Sequence, residues 1–127
     1  MKHLNDALTD GVLGAAIEVH RILGAGLSEV HYKRAMSIEL RIRGINHELE
    51  VLVDLEYKGE SIGKGKVDIF VERKLIVELK TVESLHTGHT RQVLAYLKAD
   101  PNADTALLIN FSHPTLKEGI KRVKLST

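Results

Sequence analysis

Two apolar runs held apart by three polar residues constrain this chain more than any other feature. Val67-Asp68-Ile69-Phe70-Val71 comes first, Glu72-Arg73-Lys74 follows, and Leu75-Ile76-Val77-Glu78-Leu79-Lys80 completes the unit. Short runs rich in β-branched residues around a polar break read as two strands of a hairpin. The second run is apolar on both sides over 75–79, which places it centrally in a sheet. Yet Asp68, Glu78 and Lys80 lie inside these runs. A charge in a buried strand is costly unless it is paired or bound to a metal. A chain that keeps three of them there is expected to use them.

Glu78 and Lys80 are two apart on one strand, so they share a face. Asp68 joins them in only one register. A two-residue turn at Arg73-Lys74 sets Asp68 opposite Leu79, on the wrong side. A three-residue turn, Glu72-Arg73-Lys74, sets Asp68 opposite Glu78, with Lys80 on the same face. Two-residue turns favour Asn-Gly or other Gly-containing pairs, and none is present. The three-residue turn is therefore expected. Magnesium prefers carboxylate oxygens and keeps several waters. Asp68 and Glu78, with the backbone carbonyl of Leu79, form a reasonable ligand set for it. Such an ion polarises a phosphate and acidifies a water. Lys80 then orients that water and neutralises charge building on the phosphate.

The remaining chain supplies layers for this hairpin. Leu4, Leu8, Val12, Ala15, Ala16, Val19, Ile22 and Leu23 recur at helical steps, and Gly24-Ala25-Gly26 ends that helix. Ser28 suits the N-cap of a second helix over 29–43, with Glu29 in its first turn and Gly44 at its C′ position. Glu29, Tyr32, Met36 and Leu40 lie along one stripe of it. Residues 48–57 approach period two and predict a strand; Lys58-Gly59-Glu60 predicts a turn. Ile62 to Lys66 is a glycine-spaced approach to a strand over 66–71, and 75–81 forms the next. A helix over 88–99 turns Val93, Tyr96 and Leu97 inward. A buried strand over 105–111 and a shorter one over 120–125 complete the order α-α-β-β-β-α-β-β, a mixed α/β layer architecture.

One domain over 1–127 is expected for this length. No apolar run nears 18 residues, so no transmembrane helix and no membrane partner are expected. Residues 1–6 lack the apolar core of a secretory signal. The absence of cysteine excludes disulfides, thiolate zinc sites and a cysteine nucleophile, and it fits a cytoplasmic protein. The seven histidines show no i, i+4 zinc spacing. Gly59, Gly63 and Gly65 lack the Gly-Lys-Ser/Thr ending of a P-loop. A formal net charge of +1 is low for a duplex-binding module. Positive charge must be local, or two copies must combine, so a homodimer is expected.

Asp68 and the Glu78-x-Lys80 motif resemble the PD-(D/E)XK nuclease superfamily. Gly26-Leu27-Ser28-Glu29-Val30-His31-Tyr32 has the pattern that names the small GxxExxY proteins within it. His89-Thr90-Arg91-Gln92, Tyr96-Leu97-Lys98, Leu108-Ile109-Asn110-Phe111 and Ile120-Lys121-Arg122-Val123 are similar to that family too. The resemblance spans roughly residues 5–125. It implies a restriction-endonuclease-like three-layer α/β/α core with a mixed central sheet. It also implies a metal-dependent phosphodiesterase that hydrolyses DNA or RNA with a metal-activated water, using Mg²⁺, with Mn²⁺ as a substitute. Under it, Asp68 and Glu78 are the motif carboxylates and Lys80 the motif lysine. Glu29 is the acidic residue of the first core helix, an extra ligand or proton acceptor. Gln92 is the glutamine on the helix after the catalytic strand. Val67 stands where the superfamily name has proline. Lys33 follows Tyr32 where an acidic residue is expected, and it reads as surface.

Other readings stay open. The charges of the hairpin also suit a structural ion-pair network in a dimer. Low net charge also suits a non-catalytic module that binds nucleic acid or protein on a nuclease fold. Tyr32 reads as packing beneath the site, Tyr96 as core, His89 as local structure or a substrate contact, and His86 as surface. Lys117, Lys121, Arg122 and Lys124 read as a charged strand edge, which deters aggregation.

Overall fold

A computed structural model describes the backbone of residues 4–125 and the side chains of 7–125. The elements run α1 (Leu4–Leu23), α2 (Glu29–Ile42), β1 (His47–Tyr57), β2 (Glu60–Val71), β3 (Leu75–Lys80), α3 (Thr87–Ala99), β4 (Thr105–Asn110), a 3₁₀ turn (Leu116–Gly119) and β5 (Ile120–Lys124). The five strands form one sheet in chain order. β3 and β4 are parallel and α3 links them, while the other neighbouring pairs are antiparallel.

A separate core lies on each face of the sheet. On one face α1 (Val12, Ala15, Ala16, Val19) and α2 (Tyr32, Met36, Leu40) cover Ile69, Val71, Val77, Leu79, Leu107 and Ile109. On the other, α3 (Val93, Tyr96, Leu97) covers Val53, Val67, Phe70, Ile76, Ala106 and Leu108. β3 and β4 are buried on both faces except at Lys80, so these two strands are central. The result is a three-layer α/β/α arrangement around a mixed sheet, as the sequence predicts.

The α1 stripe is shorter than its periodicity predicts. Ile22 and Leu23 are exposed, because the helix overhangs the sheet before the chain turns at Gly24. Leu23 instead borders an open apolar groove with Leu27, Val30 and Ile38. The side chain of Leu4 lies outside the described residues.

β2 is also longer than expected. It begins at Glu60, so the stretch from Ile62 to Lys66 is strand and not an approach to one. Its glycines are structural. Gly63 has φ +123 and pairs with Leu55 beside a register shift in β1, where a bulge favours glycine. Gly65 lies beneath the Tyr96 ring: a Cβ there would sit 2.3 Å from Tyr96 Cε1.

The β1–β2 ribbon turns over along its length. Leu49 pairs with Ile69 and Val51 with Val67, so Glu50 and Asp68 fall between these two pairs. Ile69 packs beneath α1 and α2, yet Val67 and Val51 pack beneath α3. Residues two apart should share a face. The reversal falls at Glu50, whose φ of +52 is left-handed, a conformation that non-glycine residues adopt at a cost. Lys33 holds Glu50 at 2.9 Å, and Lys66 lies 3.7 Å from it. Lys33 is therefore a half-buried tie between α2 and the ribbon, not a free surface residue.

Candidate active site where the hairpin strands part

The β2–β3 register pairs Ile69 with Val77, Phe70 with Ile76 and Val71 with Leu75. This is the register of a three-residue turn, and one step further it sets Asp68 across from Glu78. Glu72 and Arg73 take left-handed φ values of +54 and +55, and Lys74 N–H donates to Val71 O at 2.9 Å. The turn thus has the geometry glycine usually supplies, without glycine. Arg73 offsets that strain with a two-pronged bond to Glu48 at 2.8 and 2.9 Å and by lying over the Phe70 ring.

The ladder stops beyond Ile69 and Val77. There the Asp68 side chain takes over, its Oδ2 accepting the Leu79 N–H at 2.9 Å. β2 then departs with β1 over α3, while β3 continues beside β4 to Lys80. Glu78 is left at the parting point, 4% exposed. Its Oε1 is buried and has no hydrogen-bond partner. Burial pushes the Glu78 carboxyl up to about 9; hydrogen bonding with Asp68 and the Asp68 charge add to the shift, and Lys80 opposes it. Two carboxyl groups thus meet in a buried place, one of them with an oxygen that no donor satisfies.

Lys80 is half-buried at the end of β3. Its Nζ donates to Gln92 Oε1 at 3.3 Å, so α3 supplies the partner of the strand lysine. Tyr96 lies one turn beyond Gln92 on α3, its ring packed against Gly65. Burial raises the Tyr96 phenol above its ordinary range, and the Glu78 charge adds to this. Tyr96 is thus core, as the sequence predicts, and also a wall of the site.

Glu29 occupies the first turn of α2 and is exposed. Its charge reaches His89 on α3: desolvation lowers the His89 pKa, His86 and Lys80 lower it further, and Glu29 opposes them. Glu29 stands on the layer opposite α3 and does not join Asp68 and Glu78 in a three-carboxylate cluster. Among the described residues, no three His, Asp or Glu side chains converge tightly enough to hold a metal between them. The close pair is Asp68 with Glu78, and Leu79 adds main-chain atoms beside it.

Tyr32 explains how Glu29 is positioned. Its ring stacks on Phe111 at 4.4 Å, and its hydroxyl donates to Gly24 O at 2.6 Å and accepts the Leu27 N–H at 3.2 Å. These bonds close the loop that precedes α2. Ser28 caps the helix, and His31 Nδ1 accepts the Ser28 N–H at 3.3 Å. Tyr32 packs, as the sequence predicts, and its hydroxyl also braces the loop before α2.

Asn110 has a structural role that its sequence context does not announce. It is 1% exposed at the end of β4, paired in register with Lys80. Its Nδ2 donates to Val82 O at 2.8 Å, and its Oδ1 accepts the N–H groups of Val82 at 3.1 Å and Ser112 at 3.2 Å. Phe111 N–H donates to Lys80 O at 2.9 Å. Together they fix the chain as it leaves Lys80 for α3. A lone polar residue ending the apolar run Leu107-Leu108-Ile109 was the available signal.

A family model of the PD-(D/E)XK nuclease superfamily matches residues 6–123. A search of curated proteins found no match to the sequence. Among solved structures, one titled "Crystal structure of SSO0001" superposes with a TM-score of 0.54 at 16% identity. The alignment covers 88% of this chain but 62% of that one, so this chain spans under two thirds of its length. At that identity the likeness is one of fold, and the fold is restriction-endonuclease-like. With the family match extending over nearly all of its length, the chain belongs to the PD-(D/E)XK nuclease superfamily.

Proposed function

We propose that this protein is a metal-dependent nuclease of the GxxExxY branch, hydrolysing phosphodiester bonds in DNA or RNA. The observation that carries the reading is the buried Asp68–Glu78 pair with the unpartnered Glu78 Oε1 and Lys80 two residues on along the same strand. The donor set fits a hard divalent cation, which binds through one or two carboxylates and retains open positions for water and phosphate. Asp68 and Glu78 would hold Mg²⁺ or Mn²⁺, with the Leu79 carbonyl as a further oxygen; Glu29 does not converge with them closely enough to be a third side-chain ligand. When bound, the ion supplies Lewis acidity toward the phosphate.

The chain's own residues do the rest. Asp68 holds its carboxylate against the Leu79 N–H, which fixes one oxygen and directs the other. Lys80 places a positive charge where negative charge builds on the phosphate, and Gln92 holds the Lys80 ammonium in position. Tyr96 and Gly65 close the site toward α3 and limit water there. Glu29, exposed in the first turn of α2, would serve as proton acceptor for the attacking water. With so little net charge, gripping a duplex calls for a second copy of the chain.

A cleavage panel tests the proposal: single- and double-stranded DNA and RNA, each with Mg²⁺, Mn²⁺ or EDTA. Metal-dependent cleavage of one class supports the reading and identifies the substrate. Mg²⁺ binding without cleavage of any class favours the non-catalytic module instead, which the low net charge also suits.

A further inference from the structure

A cavity of about 340 Å³ opens beside Asn110, at the end of β4. The loop after β3 contributes Ser84 and Leu85 to its wall, and the turn into β5 contributes Glu118, Gly119 and Lys121. Gly119 lets that turn close on β4: a Cβ there would sit 2.7 Å from Asn110 O. His113 also lines the cavity. Its Nδ1 accepts the Thr115 N–H at 3.1 Å, so the neutral ring keeps its proton on Nε2 and donates from there. Glu118 Oε2 lies 3.7 Å from that Nε2, beyond hydrogen-bond distance.

The register ties this cavity to the candidate active site. Lys121 pairs with Leu108, and Leu108 with Glu78, so the three form one row across the sheet. Val123 and Ile76 pack beneath α3, so Lys121 and Glu78, each two residues from one of them, take that same face. Two strand spacings, about 10 Å, separate them. Ligands of α/β sheets bind outside the carboxyl ends of parallel strands, and the parallel β3 and β4 end at Lys80 and Asn110. Among the described residues, neither the Lys121 ammonium nor the Ser84 hydroxyl has a partner in the protein. The cavity also lies in the basic part of the chain. Residues 80–127 carry seven Lys and Arg against four Asp and Glu, and residues 1–79 carry eleven against thirteen. In that earlier part Glu18, Glu39, Glu48, Glu50 and Asp54 each hold an Arg or Lys. The overall charge of +1 therefore conceals local positive charge near β5.

We propose that this cavity is a phosphate subsite, where Lys121, Ser84 and His113 receive a backbone phosphate of the substrate strand. A free cation beside two neutral donors suits one anionic group, and the same cation repels a metal. This rests on the nuclease reading and deepens it. The strand would cross the ends of β3 and β4 toward β5, and the bound phosphate would lie a few nucleotides from the scissile one, at about 3.4 Å of axis each. Such a contact sets the position of the substrate without reading base identity. Glu118 is the carboxylate that opposes the anion.

Lys121→Ala, Glu118→Gln and Lys124→Ala test the subsite on the oligonucleotide that the wild-type protein cleaves. All three side chains are exposed, so the variants should fold, which Tm checks. Lys124 lies on the opposite face of β5 from Lys121 and controls for general charge. The subsite predicts that Lys121→Ala raises KM about tenfold, with the loss falling on KM rather than kcat. It predicts that Glu118→Gln lowers KM and that Lys124→Ala leaves it near wild type. Single phosphates of the oligonucleotide are then replaced, one position at a time, by neutral methylphosphonates. One position away from the scissile bond should raise the wild-type KM and leave that of Lys121→Ala unchanged. Equal rises in Lys121→Ala and Lys124→Ala would reduce the effect to general charge and overturn the subsite. Sensitivity to a terminal phosphate, with no internal position sensitive, would overturn the backbone assignment. If the wild type cleaves and Lys121→Ala matches it, the subsite alone fails. If the wild type cleaves no nucleic acid, the nuclease reading fails and the subsite fails with it.

Discussion

Glu78 holds a carboxyl group that water hardly reaches, with one oxygen meeting no donor. Its carboxyl is raised from 4.5 to about 9 by burial and by Asp68. A carboxyl whose folded pKa exceeds its unfolded value binds more protons in the folded state. Its contribution is therefore complete below pH 4.5 and declines as pH rises toward 9. Without metal, neutral pH should burden the fold, and Glu78→Gln should relieve it. Thermal melts of the metal-free protein at pH 7.5 should show the variant more stable by about 2 kcal/mol. That advantage should vanish near pH 4.5. An ion-pair network built for stability predicts the opposite, a variant less stable at neutral pH. The charges of this site were legible in the sequence because ionisable residues interrupt an apolar strand. The partner of Glu50 was not: Lys33 read as surface, since nothing in a helix pattern shows which strand residue will meet it.

Tyr32 and Gly65 show how elements hold the site from a distance. Tyr32→Phe keeps the stack on Phe111 but removes the hydroxyl that joins Gly24 and Leu27. It should cost about 1–2 kcal/mol in denaturant unfolding. It should also lower the rate of any cleavage reaction through Glu29. Gly65→Ala drives a methyl group into the Tyr96 ring and should cost about 2 kcal/mol. Tyr96→Ala in the same chain should recover part of that loss, which a double-mutant cycle measures. The helices and central strands were legible because their periods and caps are strong. Ser28, Gly44 and the boundary of α2 lie where the pattern puts them. The start of β2 was not, because Gly63 and Gly65 signal a break locally. They serve instead a bulge and a ring from α3, contacts that only the tertiary fold creates. The end of the α1 stripe failed for a related reason: Ile22 and Leu23 keep the helical period beyond the last residue the sheet can cover.

Across the whole molecule, two cores fix a sheet whose central strands are buried on both faces, and the ribbon of β1 and β2 crosses from one core to the other. The hairpin parts where it crosses, and the parting point holds Asp68 and Glu78 with Lys80 just beyond. The element order was readable from the succession of periods, and the three layers from the family resemblance. The crossing was not, because one left-handed residue, Glu50, redirects an otherwise regular strand. Among the described residues, no helix is long and apolar enough to span a membrane. If two copies grip a duplex, light scattering on the protein in solution should give twice the mass of one chain. Whether Glu78 and Lys80 carry catalysis is read from the initial rate of Mg²⁺-dependent cleavage for the wild type against Glu78→Ala and Lys80→Ala. A metal-dependent nuclease site here should lose at least about 10³-fold in each variant, with both variants folded. Equal cleavage by all three proteins would contradict it.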